Sequence, residues 1–125
     1  MILVDTSIWV DHLCSNNKVL ASSLNSDLVL THPFVIGEVA LGSLRQRKTI
    51  LMALSDLACV NVATDTEVLH FIDRYALFGR GIGYVDAHLL AAVRLTPGTY
   101  LWTNDNKLHD VATELDLAMK RKRKI

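Results

Sequence analysis

The sequence lacks any long apolar run. Its 125 residues contain no stretch of about 18 or more uncharged apolar residues, and no basic flank followed by a long apolar region opens the chain. We therefore expect neither a membrane span nor a signal peptide, and a cytoplasmic protein. No internal repeat or linker occurs either. With 50% hydrophobic and 21% charged residues, the composition predicts a single domain over residues 1–125.

Cysteine is scarce and histidine carries no metal-binding pattern. The two cysteines, Cys14 and Cys59, lack CxxC spacing and lie in apolar or helical-looking stretches, which predicts buried free thiols rather than a disulfide or a zinc site. No HExxH pair exists among the histidines. His88 follows Asp86 by two positions, off that acid's helix face, and His32 stands at a helix start. We expect structural roles for both histidines.

The net charge of zero hides an asymmetry between the two ends of the chain. Five of the 13 basic residues stand together in residues 120–124, which leaves eight bases against 13 acids in the remainder. A basic tail over residues 120–125 suits a polyanionic partner such as nucleic acid. A solvated, frayed terminus is the alternative.

Apolar strands alternate with helical segments along the chain. Strands are predicted at residues 2–4, 28–30, 59–62 and 100–102, with an edge strand at 117–119. Helices are predicted at residues 6–13, 19–24, 34–44, 50–57, from a capping box at Thr64–Glu67 to about 77, at 84–95 and at 111–115. Strands of uniform polarity separated by helices indicate an α/β fold: a parallel sheet of about four to five strands with helices on both faces.

Two acids directly follow apolar strands. Asp5 comes after the first strand and Asp105 after the strand at 100–102. The carboxyl ends of parallel strands meet at one edge of the sheet, where ligands bind, so we expect the two acids to lie together. Each also fits a helix N-cap, since aspartate is favoured there, and this alternative stays open for both.

Two further acids interrupt apolar helical stretches. Glu38 lies within Phe34–Leu41 and Asp86 within Tyr84–Val93. Such a carboxylate faces solvent or is held by a partner, and a buried one would need a cation or a proton. Taken with the two strand-end acids, they predict one acidic pocket.

Carboxylates that repel one another bind divalent cations, and oxygen ligands with water favour Mg²⁺ or Mn²⁺ over zinc. Such a centre hydrolyses phosphodiesters.

Four segments, at residues 4–7, 32–42, 80–90 and 101–105, together resemble the PIN-domain ribonucleases, and specifically the VapC-type toxins of type II toxin–antitoxin systems. The resemblance spans nearly the whole chain in the family's order and implies a PIN-like three-layer fold. It implies endonucleolytic cleavage of RNA, which inhibits translation and growth. It further implies a homodimer, inhibition by a VapB-type antitoxin and a larger heteromer with that antitoxin.

The resemblance also implies roles for individual residues. The metal-binding acidic quartet would be Asp5, Glu38, Asp86 and Asp105. Support would come from Thr6, Ser7 and Thr103, and Thr103 would belong to the catalytic set.

Other residues receive weaker assignments. Arg80, in the glycine-rich loop at residues 78–83, is a candidate phosphate contact, as are Lys120 and Arg121 in the basic tail. Asp11 and Asp110 lie a turn or more into helices and are expected to face solvent. The two tryptophans, Trp9 and Trp102, are expected in the core.

Two rival functions stay open on the sequence. A metal-independent ribonuclease would use paired histidines for general acid–base catalysis. A noncatalytic RNA-binding module on the same fold would bind RNA without cutting it.

Overall fold

The computed structural model describes residues 1–120, which form three strands and seven helices. The strands are β1 (Ile2–Val4), β2 (Val29–Leu30) and β3 (Tyr100–Trp102). The helices are α1 (Thr6–Ser15), α2 (Lys18–Asn25), α3 (Pro33–Ala40), α4 (Arg47–Asp56), α5 (Asp65–Arg74), α6 (Tyr84–Leu95) and α7 (Asn106–Glu114). Among these helices none combines the length and the apolar character that crossing a membrane requires.

The sheet is parallel and its strand order is β2-β1-β3. The chain moves from β1 to β2 on one side and then returns across β1 to reach β3 on the other side. Because crossovers between parallel strands are right-handed, this reversal puts the connecting helices on opposite faces of the sheet. The predicted α/β class is confirmed. The carboxyl end of β1 is the switch point, the position at which such sheets bind ligands.

The sheet is narrower than the four to five strands predicted. Beyond the three strands, pairing within residues 1–120 continues only as single bridges, at Cys59 beside β2 and at Ala118 beside β3. Past Cys59 the chain leaves the ladder because Asn61 bonds to the end of α6. Its backbone N–H donates to Thr96 Oγ1 at 2.9 Å and its side-chain amide donates to the Leu95 carbonyl at 2.8 Å.

The helix α3 ends at Ala40, four residues before the predicted end at 44. The side chain of Arg47, at the start of α4, donates two hydrogen bonds to the Ala40 carbonyl, at 3.1 and 2.9 Å. This contact satisfies a carbonyl that the helix leaves unpaired at its end. The capping box predicted for α5 is confirmed, since Thr64 and Glu67 exchange side-chain to backbone hydrogen bonds of 2.9 and 3.1 Å.

The core is built around α6. Residues 87–93 of this helix are all buried, as a helix surrounded by other elements requires. They pack in one cluster with Leu3 and Val4 of β1, which are fully buried. Trp9 belongs to the same cluster and Trp102 packs against it, as predicted for both tryptophans. The packing of α6 therefore fixes the position of Asp86, which lies in the first turn of this helix.

The two cysteines are free, as predicted, but both are exposed, so the prediction of buried thiols is wrong. Cys14 lies in the last turn of α1, whose buried residues are Ile8 and Trp9 in the first turn. Cys59 lies at the margin of the sheet, beyond β2, where only a single bridge covers it.

His32 is fully buried and is the N-cap residue immediately before α3. Its ring Nδ1 accepts a hydrogen bond of 2.9 Å from the Phe34 backbone N–H, so the structural role expected for His32 is that of the N-cap of α3. Its neighbour His88, also buried, has its ring centroid 6.5 Å away and its Nε2 lies 3.1 Å from Asp65 Oδ1. Burial, and to a lesser extent the proximity of His88, lowers the pKa of His32 to about 4.

The neutral state of His32 makes the fold sensitive to acid. Because the folded pKa of about 4 lies below the ordinary value of 6.5, the unfolded chain takes up this proton first. The contribution of neutral His32 to the free energy of unfolding is therefore complete above pH 6.5 and is lost as the pH falls from 6.5 towards 4. It amounts to roughly 3 kcal/mol.

We expect His32→Asn, which keeps a capping side chain, to flatten this part of the pH profile. Urea unfolding between pH 7.5 and pH 4 is the measurement, with the native chain as the reference. Equal losses of unfolding free energy in the two proteins would show that His32 does not govern the response to acid.

Candidate metal centre

Asp5 lies at the junction of β1 and α1 and is only 7% exposed. Its carboxylate accepts three hydrogen bonds: from the Thr6 backbone N–H at 2.8 Å, the Ser7 hydroxyl at 2.9 Å and the Thr103 hydroxyl at 2.7 Å. The first bond makes Asp5 the N-cap of α1, so the capping alternative holds for this acid. Three donors compensate for the water that burial removes from the charge.

Asp105 lies across from Asp5, between β3 and α7. Its Oδ1 accepts a bond of 3.1 Å from the Leu108 backbone N–H, so it too is an N-cap. The buried Thr103 hydroxyl joins the two acids, since it donates to Asp5 and accepts from the Asp105 backbone N–H at 3.0 Å. The Asn104 backbone N–H also donates to Ser7 Oγ at 3.0 Å. These bonds hold the ends of β1 and β3 together.

Glu38 reaches the same region from α3. It is exposed, and it has a protein partner as well, so both alternatives given for its carboxylate apply. The Thr6 hydroxyl donates to Glu38 Oε1 at 2.8 Å, and this bond fixes the carboxylate beside the start of α1. The two residues that follow Asp5 in sequence thus bind different acids: the Thr6 hydroxyl binds Glu38 and the Ser7 hydroxyl binds Asp5.

Asp86 lies in the first turn of α6 and is half-buried. The Gly83 backbone N–H donates to its Oδ2 at 3.0 Å. Burial raises the pKa of Asp86, and the negative charges of Asp5, Asp105 and Glu38 raise it further against the opposing effect of the Gly83 bond. The four predicted acids therefore share one electrostatic environment, in which they repel one another.

Three of the four acids stand at helix N-termini: Asp5 at α1, Asp86 at α6 and Asp105 at α7. The unpaired N–H groups at a helix N-terminus carry a partial positive charge that favours carboxylates. This attraction works against the mutual repulsion. The fold therefore assembles negative charge at one edge of the sheet while keeping each acid bonded.

The donor set fits a hard divalent cation. Glu38, Asp86 and Asp105 each use one carboxylate oxygen in a hydrogen bond, and the second oxygen takes none from residues 1–120. Within those residues no three histidine, cysteine, aspartate or glutamate side chains converge closely enough to hold one ion together. Mg²⁺ keeps several waters and binds proteins through one or two carboxylates, so a spread, all-oxygen set suits Mg²⁺ or Mn²⁺.

The other candidate residues lie outside this arrangement. Arg80 forms a bidentate ion pair with Glu114, at 2.8 and 2.9 Å. Asp11 and Asp110 are exposed on their helices, as expected. Lys120 is exposed at the end of the described chain, and Arg121 lies with the rest of the tail outside the described residues.

Sequence reasoning missed the role of Gly83. It precedes α6 and its N–H bonds the acid three positions later, a spacing that the glycine-rich loop and Asp86 together could have indicated. The bond shows that the loop at residues 78–83 ends by positioning an acid of the candidate centre.

Comparisons with known proteins bear on the family of the chain. A family model for the PIN domain matches residues 2–114. The chain is 44% identical over 119 residues to Ribonuclease VapC32 of Mycobacterium tuberculosis strain CDC 1551 / Oshkosh and, equally, to the protein of that name in strain ATCC 25618 / H37Rv. Each match covers 95% of this chain and 96% of the relative.

The hydroxyl of Thr103 should matter for stability as well as for geometry. Thr103→Val keeps the shape but leaves the buried Asp5 carboxylate and the Asp105 N–H each without one partner, so we expect a loss of about 2–3 kcal/mol in unfolding free energy. The matched control is Thr113→Val, whose exposed hydroxyl bonds the His109 carbonyl at 2.8 Å. That variant should change stability by no more than about 0.5 kcal/mol. Comparable losses in urea unfolding would contradict the role given to Thr103.

Repulsion among the acids should lower the thermal stability of the metal-free protein. In EDTA at neutral pH, Asp86→Asn should unfold at a higher temperature than the native chain because one of four like charges is removed. Mg²⁺ at about ten times its Kd should stabilise the native chain by about 1.4 kcal/mol, and stabilise the variant far less.

Asp110→Asn, an exposed acid of α7, is the control and should respond to Mg²⁺ as the native chain does. Differential scanning calorimetry with and without Mg²⁺ measures both effects. An undiminished Mg²⁺ response in Asp86→Asn would remove this residue from the metal centre.

Proposed function

The chain belongs to the PIN-domain family, and we propose that it is an endoribonuclease that requires Mg²⁺, or Mn²⁺ in its place. The quartet of Asp5, Glu38, Asp86 and Asp105 would hold the ion. One observation carries the proposal: at the carboxyl ends of β1 and β3 the Thr103 hydroxyl joins Asp5 to the Asp105 backbone, and the Thr6 hydroxyl holds Glu38 beside them. The relatives named ribonuclease, 44% identical across nearly the full length, support RNA as the substrate.

Each residue of the centre has a separate task in this proposal. Glu38, Asp86 and Asp105 would offer their unbonded oxygens to the ion, one or two of them directly and the others through its bound waters, while Asp5 supplies negative charge from a fixed, buried position. When bound, a divalent cation activates water for attack on phosphorus and neutralises the charge that develops on the phosphate. Thr103 and the two hydroxyls after Asp5 keep the acids oriented before the substrate arrives, which lowers the cost of reorganisation.

We also propose that the chain is the toxin of a toxin–antitoxin pair. Its relatives carry the name VapC, and the match extends over 95% of this chain. Cleavage of RNA would inhibit translation and growth in the cytoplasm, and a VapB-type antitoxin would block it. We propose a homodimer that joins the antitoxin in a larger heteromer, with residues 1–125 of each chain forming one domain.

Asp5→Asn and Asp86→Asn should each abolish cleavage, with a loss of at least about a hundredfold in rate, because the first removes negative charge from the centre and the second replaces a carboxylate ligand by an amide. Asp11→Asn and Asp110→Asn, exposed acids outside the centre, should cut RNA as the native chain does. Cleavage of total cellular RNA, read by sequencing new 5′ ends, is the measurement, together with growth after brief induction. Full activity in either quartet variant would refute the proposal.

Chelation separates this function from the two rivals. The proposed enzyme should lose activity in excess EDTA and regain it with Mg²⁺ or Mn²⁺, whereas a histidine-based ribonuclease would stay active. The structure gives such a rival little support, because His32 and His88 are buried and the lowered pKa of His32 keeps it neutral near pH 7. A noncatalytic module would bind RNA and release no fragments.

A further inference from the structure

The side chain of Lys107 lies across the glycine-rich loop. A Cβ atom placed on Gly81 would stand 2.9 Å from both Cδ and Nζ of this lysine and 3.3 Å from its Cε. The last methylenes and the ammonium therefore occupy the space that any larger residue at position 81 would fill. Gly81 also has a φ of +79°, a conformation that favours glycine.

The ammonium of Lys107 forms no ion pair with the described residues. Within residues 1–120 no carboxylate lies within ion-pair distance of its Nζ. The other cation of the loop, Arg80, is committed to Glu114 through two bonds. Of these two cations, Lys107 is therefore the one that can bind an anion without giving up a partner.

Lys107 also lies beside the candidate metal centre. It is exposed in the first turn of α7, two positions after Asp105. The residue it touches, Gly81, lies two positions before Gly83, whose N–H bonds Asp86. The lysine thus connects the segment that carries one acid with the loop that positions another.

We propose that Lys107 binds an RNA phosphate next to the one that is cut, and that Gly81 is a glycine in part because it leaves room for this lysine. The inference rests on the proposed ribonuclease function. A polyanion that approaches four carboxylates needs positive charge beside them, and an ammonium is a suitable point-charge partner for a phosphate.

Two glycines of the loop provide a matched pair of variants. Gly81→Ala and Gly79→Ala both force alanine into a positive φ, of +79° and +71°. Only at Gly81 does the new methyl group meet Lys107, because nothing lies within 4 Å of a Cβ at Gly79. The atoms it meets are the flexible end of a side chain, so we expect Gly81→Ala to displace the lysine and to leave the fold intact.

A double-mutant cycle tests this coupling through RNA cleavage in Mg²⁺. Lys107→Ala should lower kcat/KM roughly tenfold, mainly through KM. Gly81→Ala should cost several times more than Gly79→Ala in the native background, and no more than Gly79→Ala once Lys107 is alanine. Purely additive effects of the Gly81 and Lys107 substitutions would overturn the role given to Gly81.

Binding provides a second measurement that does not depend on catalysis. In the Asp5→Asn background, affinity for a mixed-sequence single-stranded RNA oligonucleotide is measured against salt concentration. Loss of one phosphate contact should reduce the slope of log Kd against log salt by about 0.7. Lys48→Ala, an exposed lysine on α4, is the control and should leave the slope unchanged.

The outcomes separate this inference from the proposed function. If the native chain cuts RNA but Lys107→Ala matches Lys48→Ala in cleavage and in salt slope, the lysine contact is wrong and the ribonuclease stands. If the native chain neither binds nor cuts RNA in Mg²⁺ or Mn²⁺, both fail together. Partial recovery of kcat/KM in Lys107→Arg would support a charge contact over a structural effect.

Discussion

The buried carboxylate of Asp5 is the constraint on which the other contacts of the centre depend. A charge that is 7% exposed persists only if the fold supplies donors, and here they come from α1 and from the end of β3. Those donors have second partners: Thr103 binds the Asp105 N–H and Ser7 binds the Asn104 N–H. Satisfying one acid therefore aligns the strand ends and orients the next acid, and the same bonds serve folding and the proposed chemistry.

Much of the fold was accessible from sequence because its signals are local. A strand followed by a capping acid predicted the edge on which Asp5 and Asp105 lie, and the Thr64–Glu67 box predicted the start of α5. The width of the sheet was not accessible. Pairing beyond Cys59 stops because Asn61 bonds the distant end of α6, a competition that no local pattern reveals. Cys59 is exposed at this point, where it pairs with Thr31 through a single bridge.

Sequence reasoning predicted types of residue in the site better than their partners. It placed four acids in one pocket, and the structure brings them into one electrostatic environment. It did not foresee that Arg80 pairs with Glu114, 34 residues away, because ion pairs at such separation depend on tertiary packing. Nor did it single out Lys107, whose relevance comes from the space beside Gly81 that its side chain occupies and not from any motif.

The hydrogen bond between Thr103 and Asp5 joins residues 98 positions apart. Contacts of such sequence separation carry an entropic cost, since a long loop must close before they yield any gain. The first acid of the centre, Asp5, lies at the start of the chain, and the last, Asp105, lies beyond residue 100. A nascent or truncated chain that ends before Thr103 lacks both the hydroxyl and the acid that follow β3. The order of the elements along the chain thus leaves the candidate centre incomplete until the residues that follow β3 are present.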